Sequence, residues 1–504
     1  MSGPTPRPGP AIAIASAATF VAFLDVTVVN VALPDLQRDF PGDSLVALSW
    51  VVAIYGVLFA ALLTPAGRLA DVVGRKAVFL GGFAGFTLAS ALCALAPSVP
   101  VLIGVRALQG ASAAFMIPAA LGIVLAVSRP ERRAAAVGLW GATTSIAAAT
   151  GPVLGGVLID AFSWRAVFLI NVPIGIAVLL VAWRVLPALK LGARQLPDLL
   201  GSLLLAAGAV LVLVAVTETG QWGWIDARTV ACGAAGATLL AIALLRTRTH
   251  AAPAVETALL RNRAFAAATV GAALYGVALF AWMLASVLFV TSAWGYSIVE
   301  AGLAVTPGAF SAAVGSVVAG RAIERRGPAP IVAIGALIFA LGGLWMVLGI
   351  GETPQFVTFW LPLGLFTGLG MGAATVGLTA AAARALPPAQ FASGTGLVMT
   401  ARQFGGALGV AVLATILAGD EAGIGGYRAV FAICASAALL AGVSALWLMR
   451  AGPIAGEPAL VGSGAVIGDA ARSIAVPAPA TVGDGAPVAP TTTAITTTRA
   501  AVTA

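Results

Sequence analysis

Two side chains of opposite charge lie within long apolar stretches of this sequence. Asp25 occurs in "FLDVTVVNVALP" at residues 23–34, and Arg106 occurs in "GVRALQGASAA" at residues 104–114. A charge at the middle of a membrane-spanning helix costs about 2.5–3.5 kcal/mol on insertion scales, so it persists where it is paired, protonated or in contact with water. A carboxylate that gains and loses a proton beside an arginine suits coupled transport. Asp25 and Arg106 are therefore a candidate proton-coupling pair.

The positions of these charges along their stretches predict that they meet. At 1.5 Å per residue, Asp25 lies about 12 Å and Arg106 about 9 Å from the same end of the predicted bundle. In a coupling role, protonation of Asp25 would loosen its hold on Arg106, and cargo would compete for the carboxylate. The alternative is a static buried ion pair that only fixes helix packing.

The composition places most of the chain in a bilayer. Hydrophobic residues make up 60% of the 504 residues and charged residues only 9%. A helix needs roughly 20 apolar residues to cross about 30 Å of hydrocarbon. Runs of that kind, separated by charge, proline or glycine, occur at 11–33, 46–66, 77–96, 100–127, 134–159, 166–186, 199–217, 229–246, 264–292, 301–320, 329–349, 356–383, 393–418 and 428–449. The predicted fold class is all-α integral membrane, with 14 transmembrane helices.

The placement of the charges predicts the orientation. A net charge of +8 in a soluble protein could indicate nucleic-acid binding, but here the basic residues cluster in alternate loops, at 68–76, 129–133, 246–248, 261–263 and 321–326. Loops rich in Lys and Arg stay in the cytoplasm. We therefore expect a multi-pass protein of the cell membrane, surrounded by lipid, with both termini cytoplasmic and no nucleic-acid partner.

The chain contains an internal repeat. "GRLADVVG" at 67–74 and "GRAIERRG" at 320–327 share the pattern G-R-x-x-[Asp or Glu]-x-x-G, with an offset of 320 − 67 = 253 residues. "GVRALQGASAA" at 104–114 matches "GLFTGLGMGAA" at 364–374 with an offset of 364 − 104 = 260. Near-equal offsets predict two parallel six-helix bundles separated by two inserted helices, with a cavity between the bundles. The predicted segments are a cytoplasmic tail at 1–10, bundles at 11–190 and 251–450, the inserted pair at 191–250, and a disordered cytoplasmic tail at 451–504.

The repeated loop is a candidate latch between helix ends. Gly67 and Gly74 permit a tight reversal, Asp71 can accept hydrogen bonds from an arginine, and Arg75 can meet lipid headgroups or acidic groups. The second copy supplies Glu324 and Arg325. The alternative is that these loops only anchor the chain through their positive charge.

Several stretches together resemble a known family. The loop at 67–80 resembles motif A of the major facilitator superfamily, 102–118 ("LIGVRALQGASAAFMIP") resembles motif B, and 150–156 ("TGPVLGG") resembles the antiporter motif C. The stretches at 23–34 and 164–175 ("WRAVFLINVPIG") are similar to helices 1 and 6 of fourteen-helix drug:proton antiporters. The resemblance, which covers residues 11–450, implies the major facilitator fold and a charge-relay network in which Asp71 and Arg75 have a partner from "RPERR" at 129–133. Arg132 and Arg133 are the candidates for that partner.

Residues 150–156 place glycines around a proline. Pro152 removes one backbone hydrogen bond and kinks a helix, while Gly151, Gly155 and Gly156 let a neighbouring helix approach closely. Composition alone favours the simpler alternative, in which these residues only allow tight helix packing. The family resemblance implies a bend and a leak seal that are specific to exporters.

Other polar, aromatic and methionine side chains in the predicted spans are candidates for lining the cavity, although each also suits a helix contact, the core or a lipid-facing position. The candidates are Asn30, Gln109, Phe115, Trp140, Thr144, Asn171, Trp282, Met399, Arg402 and Gln403. The single histidine, His250, and three cysteines inside predicted spans build no metal site. No P-loop pattern or Ser-His pair occurs, so we expect neither a cofactor nor an enzyme.

The predicted function is proton-driven export of amphiphilic small molecules, such as drugs, antibiotics or related metabolites, by a monomer. A single mid-depth acid suggests monovalent cationic or neutral cargo. Some related exporters of divalent cations have a second acid in the penultimate helix, where this chain has Arg402 and Gln403. A proton-coupled uptake symporter with the same fold is the main alternative, and a channel or a membrane enzyme fits the repeat and the residue inventory less well.

Overall fold

The computed structural model describes residues 8–43, 45–187, 198–247, 249–250, 253, 257–417 and 423–450. The prediction of a disordered tail at 451–504 lies outside the described residues. Most of the predicted tail at 1–10 is also outside them, and Pro8 already belongs to the first helix.

The described residues are almost entirely helical and contain no β-strand. In chain order the α-helices are α1 (Pro8–Val31), α2 (Leu33–Asp39), α3 (Leu45–Val73), α4 (Arg75–Ala94), α5 (Val99–Val127), α6 (Arg133–Ala161), α7 (Trp164–Leu169), α8 (Asn171–Val185), α9 (Leu199–Thr217), α10 (Thr219–Trp222), α11 (Ala227–Thr247), α12 (Arg263–Ser292), α13 (Ile298–Arg326), α14 (Pro328–Gly349), α15 (Leu361–Arg384), α16 (Phe391–Leu417) and α17 (Gly423–Arg450). Helices form because the bilayer interior offers backbone N–H and C=O groups no water, so each group must bond within its own segment.

The predicted count of spans is confirmed. The described residues contain 14 helical stretches that are long and apolar enough to cross a membrane. One difference concerns the first span, which was predicted to continue to residue 33. The helix breaks at Val31 because Pro34 has no N–H to bond the carbonyl of Asn30, and the short α2 follows with Pro34 in its first turn.

The two bundles have the same internal arrangement. In the first bundle α3 packs on α5, α4 packs on α5, and α1 packs on α6. In the second bundle α13 packs on α15, α14 on α15, and α12 on α16. Each helix of the first bundle therefore has a counterpart in the second, as the sequence repeat predicts.

The bundles meet along two seams, α3 with α16 and α6 with α13. Glycine residues allow the helices at both seams to approach each other closely. A Cβ atom on Gly67 would overlap the backbone of Ala392, and one on Gly138 would lie 2.6 Å from the carbonyl oxygen of Ser316. These contacts lie near the side of the bundle that carries the repeated loops, which we call the loop face; the other side is the opposite face.

The inserted helices α9 and α11 pack on each other and lie beside the α3–α16 seam, where α9 contacts both helices. Gly236 lets them approach, since a Cβ atom there would lie 2.9 Å from the carbonyl oxygen of Gly208. The indole Nε1–H of Trp224 donates to Thr415 Oγ1 of α16 at 2.7 Å. The insert is thus attached to both bundles.

Close helix packing inside the second bundle gives a stability prediction. A Cβ atom on Gly405 of α16 would overlap the carbonyl group of Ala273 of α12, whereas a Cβ atom on Gly104 of α5 would meet no atom within 4 Å. Overpacking costs about 1–3 kcal/mol, so Gly405→Ala should lower the thermal unfolding temperature of the purified protein by several degrees. The matched Gly104→Ala should leave that temperature within a degree or raise it. Equal shifts for the two variants would contradict the assigned contact.

The ion pair at the ends of the inserted helices gives a pH prediction. Arg246 Nε donates to Asp198 Oδ2 at 2.5 Å, and this hydrogen bond lowers the pKa of Asp198 below its ordinary value. Such a carboxylate adds stability above its unfolded pKa and loses it as the pH falls through the folded pKa. Below about pH 4 the unfolding temperature of the native protein should therefore fall more steeply than that of Asp198→Asn. The unfolding temperature of Asp160→Asn, a change at an exposed acid, should depend on pH as that of the native protein does. If the unfolding temperature of Asp198→Asn falls with pH as steeply as the native one, the prediction is refuted.

Candidate functional site

Asp25 of α1 makes hydrogen bonds through both carboxylate oxygens. Its Oδ2 accepts from Arg106 Nη1 at 2.5 Å, and its Oδ1 accepts from Gln109 Nε2 at 2.9 Å and from Asn171 Nδ2 at 3.0 Å. Asp25 is only 1% exposed and Arg106 is fully buried. The pairing expected from their positions in the two spans is therefore present, inside the first bundle.

Arg106 also connects this cluster to α3. Its Nε donates to the carbonyl oxygen of Val51 at 3.0 Å, and its guanidinium carbon lies 4.5 Å from the centre of the Tyr55 ring. The ring of Phe168 from α7 lies on another side, at 5.7 Å. A cation between aromatic rings is attracted by their π-electrons. One arginine of α5 thus touches α1, α3 and α7.

This geometry corrects two expectations from the sequence. Gln109 and Asn171 were candidates for a cargo cavity, but they belong to the buried Asp25 cluster, where Gln109 Nε2 also donates to Ser90 Oγ at 2.8 Å. Cargo was expected to compete directly for Asp25. In this conformation the carboxylate is enclosed by protein donors, so cargo does not reach it.

The Asp71 cluster joins the two bundles at the loop face. Asp71 and Arg75 form a fully buried ion pair at 2.8 Å. The same carboxylate accepts the backbone N–H groups of Ser393 at 2.7 Å and Ala392 at 3.3 Å, in the first turn of α16. The first N–H groups of a helix have no partner within it and carry partial positive charge, so an acid there is favourable. Arg75 adds bonds to the carbonyl oxygens of Gly122, at 3.1 Å, and Pro388.

The partner of Asp71 differs from the one that the family resemblance implied. Instead of a side chain from 129–133, the carboxylate bonds the backbone of α16 in the other bundle. Arg133 donates to the carbonyl oxygen of Leu125 at 3.2 Å and lies 4.8 Å from the centre of the Phe391 ring. Arg75 lies 5.5 Å from the same ring. Arg133 therefore borders the cluster through Phe391, while Arg132 is exposed.

The second copy of the loop makes a related but weaker contact. Glu324, near the end of α13, accepts the backbone N–H of Ala135 at 3.3 Å, in the first turn of α6. Each repeated loop thus supplies an acid to the start of a helix in the other bundle. Glu324 is exposed and so is Arg325, in contrast to the buried Asp71. Gly74 has a φ of 120°, a backbone conformation that favours glycine, and directly precedes α4.

The glycines and the proline of the motif C stretch face two different partners. A Cβ atom on Gly151 would overlap the side chain of Thr27, and one on Gly155 would lie 2.9 Å from Val28 Cγ1, so α1 packs directly on α6. Pro152 lies on the seam with the second bundle, where its Cβ atom would be 2.8 Å from a Cβ atom on Gly302. A side chain on Gly156 would meet nothing within 4 Å. The stretch therefore packs α6 against both α1 and α13.

Most aromatic candidates for the cavity fill other roles. Trp140 is buried and donates to Thr19 Oγ1 at 2.8 Å, which links α6 to α1. Trp282 lies in the core of the second bundle, 4.9 Å from the ring centre of Phe431. Phe115 lines an open groove formed by α3, α4 and α5.

The remaining polar candidates are placed differently. Asn30 is exposed and donates to the carbonyl oxygen of Val26 in its own helix at 2.8 Å. Thr144 of α6 is half-buried.

Two candidates, Met399 and Arg402, line a small cavity in the second bundle. Its volume is about 10 Å³, near the size that one water molecule needs. Helices α12, α15 and α16 form its walls, and the lining residues are Ala272, Tyr275, Thr375, Leu378, Thr379, Ala382, Thr395, Val398, Met399 and Arg402. Gln403 is half-buried beside it in the chain and does not line it.

Sequence reasoning missed several members of these clusters. Ser90 gives no signal among the small residues of α4. Tyr55 could have been found, because a tyrosine within an apolar span usually has a partner for its hydroxyl. The backbone N–H groups of Ala392 and Ser393 carry no side-chain signal at all. No group of three or more His, Cys, Asp or Glu side chains is assembled in the described part of the chain.

Comparison with known families identifies this architecture. Residues 15–196 and 268–496 match the family model described as Major Facilitator Superfamily. The chain belongs to the major facilitator superfamily. The unmatched residues between the two segments include the inserted helices α9 and α11.

Relatives of this major facilitator protein are named for antibiotic export and drug resistance. The chain is 33% identical to the "Probable actinorhodin transporter" of Streptomyces coelicolor over 83% of this chain and 74% of that protein. It is 35% identical to the "Cephamycin export protein CmcT" of Amycolatopsis lactamdurans, over 82% and 86% of the two chains. It is 32% identical to the "Multidrug resistance protein B homolog" of Mycobacterium tuberculosis, over 79% and 74%.

Solved structures support the fold. The human organic anion transporter MFSD10 (TETRAN) superimposes with a TM-score of 0.65 at 15% identity, covering 87% of this chain and all of that one. The transporter FucP in its outward conformation superimposes with a TM-score of 0.56 at 15% identity, covering 87% and 98%. At this identity the likeness concerns the major facilitator fold alone.

The Asp71 cluster leads to a prediction about the distance between the two bundles at the loop face. Removing one partner of a buried ion pair costs about 3–5 kcal/mol, and Asp71→Asn also weakens the bonds to the start of α16. Spin labels at Val73 and Arg326, which are exposed on the two bundles at this face, should then show a larger share of long distances. The control Glu131→Gln, at an exposed acid of the same face, should leave the native distribution. An unchanged distribution in Asp71→Asn would mean that this cluster does not hold the bundles together.

Proposed function

We propose that this protein exports amphiphilic small molecules across the cell membrane in exchange for protons, by alternating access. The relatives named for export of actinorhodin and cephamycin and for multidrug resistance support the export of drug-like compounds. The observation that carries the proton coupling is the buried Asp25–Arg106 ion pair at 2.5 Å. An ionisable pair inside a membrane domain is costly, and its usual role is in a proton or ion pathway.

The loop face is the cytoplasmic side in this proposal. It carries the basic clusters of the loops, and such loops stay in the cytoplasm. The Asp71 cluster then keeps the cytoplasmic side closed, so Asp25 exchanges its proton with the outside. Asp25 lies six residues before Val31 (31 − 25 = 6), which is about 9 Å along α1 from the opposite face.

Protonation of Asp25 changes the contacts of Arg106. A neutral carboxyl holds the guanidinium less strongly, while the bond of Arg106 to the carbonyl oxygen of Val51 and its stacking on Tyr55 remain on α3. Helix α3 carries Asp71 at its other end, against α16 of the second bundle. The proposed coupling route therefore runs from Asp25 through Arg106 and α3 to the seam between the bundles.

Proton entry supplies the driving force for export. A membrane potential contributes about 2.3 kcal/mol per charge for each 100 mV, and a pH gradient adds to it. Deprotonation of Asp25 on the cytoplasmic side restores the ion pair. Cargo moves outward in the other half of the cycle, so each compound exported is exchanged for protons.

The coupling role of Asp25 predicts a specific loss of function. In everted vesicles energised by a pH gradient alone, Asp25→Asn should reduce uptake of puromycin and ethidium at least tenfold, because the amide cannot carry a proton. Its level in the membrane should remain near native. Asp160→Asn, at an exposed acid outside the cluster, should transport at the native rate.

Two results decide against coupling. Native-rate, gradient-driven transport by Asp25→Asn would contradict a coupling role. Loss of folded Asp25→Asn protein, with recovery in Asp25→Asn combined with Arg106→Gln, would indicate the static ion pair instead. Proton release from native vesicles on addition of cargo separates the exporter from the uptake symporter, which would move protons the other way, and from a channel, which would move none.

A further inference from the structure

Arg402 of α16 carries a charge without a partner in the described structure. It lies 402 − 391 = 11 residues into the helix, about 16 Å from its start. Its guanidinium makes no hydrogen bond or ion pair with any described residue, and its Nε atom is buried. The acids of the second-bundle helices are Glu300, which is bonded to Ser297, and Glu324, which is bonded to Ala135.

The two bundles therefore differ in whether the charged side chain within their helices has a partner. In the first bundle Asp25 is enclosed by three protein donors, so its negative charge is satisfied. In the second bundle the positive charge of Arg402 is not. The single mid-depth acid had suggested cationic or neutral cargo from the sequence, whereas the charged side chain at mid-depth that lacks a partner among the described residues is the positive Arg402.

The surroundings of Arg402 suit an acidic group on an apolar body. The cavity that it lines is mostly apolar, with Leu378 and Met399 among its walls, and the hydroxyl groups of its lining residues Tyr275, Thr375 and Thr379 are bonded to other protein groups. The Tyr275 hydroxyl donates to the carbonyl oxygen of Met371 at 2.8 Å and accepts from Thr375 Oγ1 at 2.9 Å. A guanidinium binds a planar carboxylate through two parallel hydrogen bonds.

The cavity lies among three helices of the second bundle, one of which, α16, also contacts the first bundle. Thr400, two residues before Arg402, shares a hydrogen bond of 2.8 Å with Thr64 of α3 across the seam. Helix α16 therefore takes part both in the seam with α3 and in the wall of the cavity. In the present conformation the cavity has room for about one water-sized group, so cargo enters in a more open state.

We infer that Arg402 is a binding residue for the carboxylate of amphiphilic organic anions, and that it makes such acids a substrate class of this transporter. The inference rests on the proposed export function. The apolar body of the acid lies against Met399 and Leu378, and the carboxylate meets the guanidinium. The site should prefer the charged acid over a neutral compound of the same shape, because the neutral compound makes only the apolar contacts.

The test uses two probes of nearly equal size, 1-naphthoate and its neutral counterpart 1-naphthamide, with the full-length protein in lipid nanodiscs. The native protein should bind the acid at least tenfold more tightly than the amide. Arg402→Gln should abolish this preference and leave amide binding within twofold. Arg402→Lys, which keeps the charge but not the planar fork, should retain part of it. Arg321→Gln, at an exposed arginine of α13, should bind both probes as the native protein does.

Three results would overturn the inference: equal binding of the acid and the amide by native protein, equal weakening of both in Arg402→Gln, or a full preference in that variant. If Arg402→Gln does not fold, Met399→Phe tests the same site, because it fills the cavity while keeping the arginine. It should weaken both probes at least fivefold, and native binding there would refute the site.

The Arg402 inference and the export proposal can fail independently of each other. Asp25→Asn lies outside this cavity and should keep the preference for naphthoate. Loss of gradient-driven transport by that variant, with the preference intact, supports both proposals. Retained transport in Asp25→Asn contradicts proton coupling through Asp25 and leaves the Arg402 preference to be judged by its own binding data.

Discussion

The buried pair of Asp25 and Arg106 is the interaction on which the first bundle depends. A carboxylate inside apolar helices is tolerated only if its charge is balanced and its lone pairs are bonded. Here Arg106, Gln109 and Asn171 meet both conditions, and they come from α5 and α8 while the acid comes from α1. Because Arg106 also bonds α3, the Asp25 cluster is connected to the helix that forms a seam with the other bundle.

The contacts between the bundles follow one physical rule twice. The last turn of α3 and that of α13 each place an acid at the first turn of a helix in the other bundle, where backbone N–H groups lack partners. Duplication of the six-helix unit accounts for this symmetry. The copies have nevertheless diverged, since Asp71 is buried and paired with Arg75 while Glu324 is exposed. Water screens the buried contact less, so the acid at the α3–α16 seam makes the stronger electrostatic contact of the two. The inserted helices, which lie beside that same seam, are attached to its two sides.

Some of the site could be read from residue types and some could not. An acid and an arginine at similar depths in apolar spans predict a pair, because each would otherwise be an uncompensated charge. Gln109 and Asn171 were assigned to a cavity because polar residues in a span either line water or bond another helix, and sequence does not distinguish these outcomes. A further partner of Asp71 was expected from the arginines at 129–133, yet besides Arg75 the donors to its carboxylate are the backbone N–H groups of Ala392 and Ser393. Any residue except proline carries such a group, so its use depends only on where the helix begins.

The sequence by itself determined the membrane class, the number of spans and the two-fold internal repeat. These properties depend on local hydrophobicity and on similarity along the chain, and neither requires knowledge of which helices touch. Tertiary structure alone decided that protein donors enclose the Asp25 carboxylate in this conformation, that the repeated loops contact the opposite bundle, and that Arg402 has no hydrogen-bond or ion-pair partner among the described residues. Whether a polar group is paired depends on its neighbours from distant parts of the chain. That information arises only when glycine-lined helix faces pack and bring those neighbours within hydrogen-bonding distance.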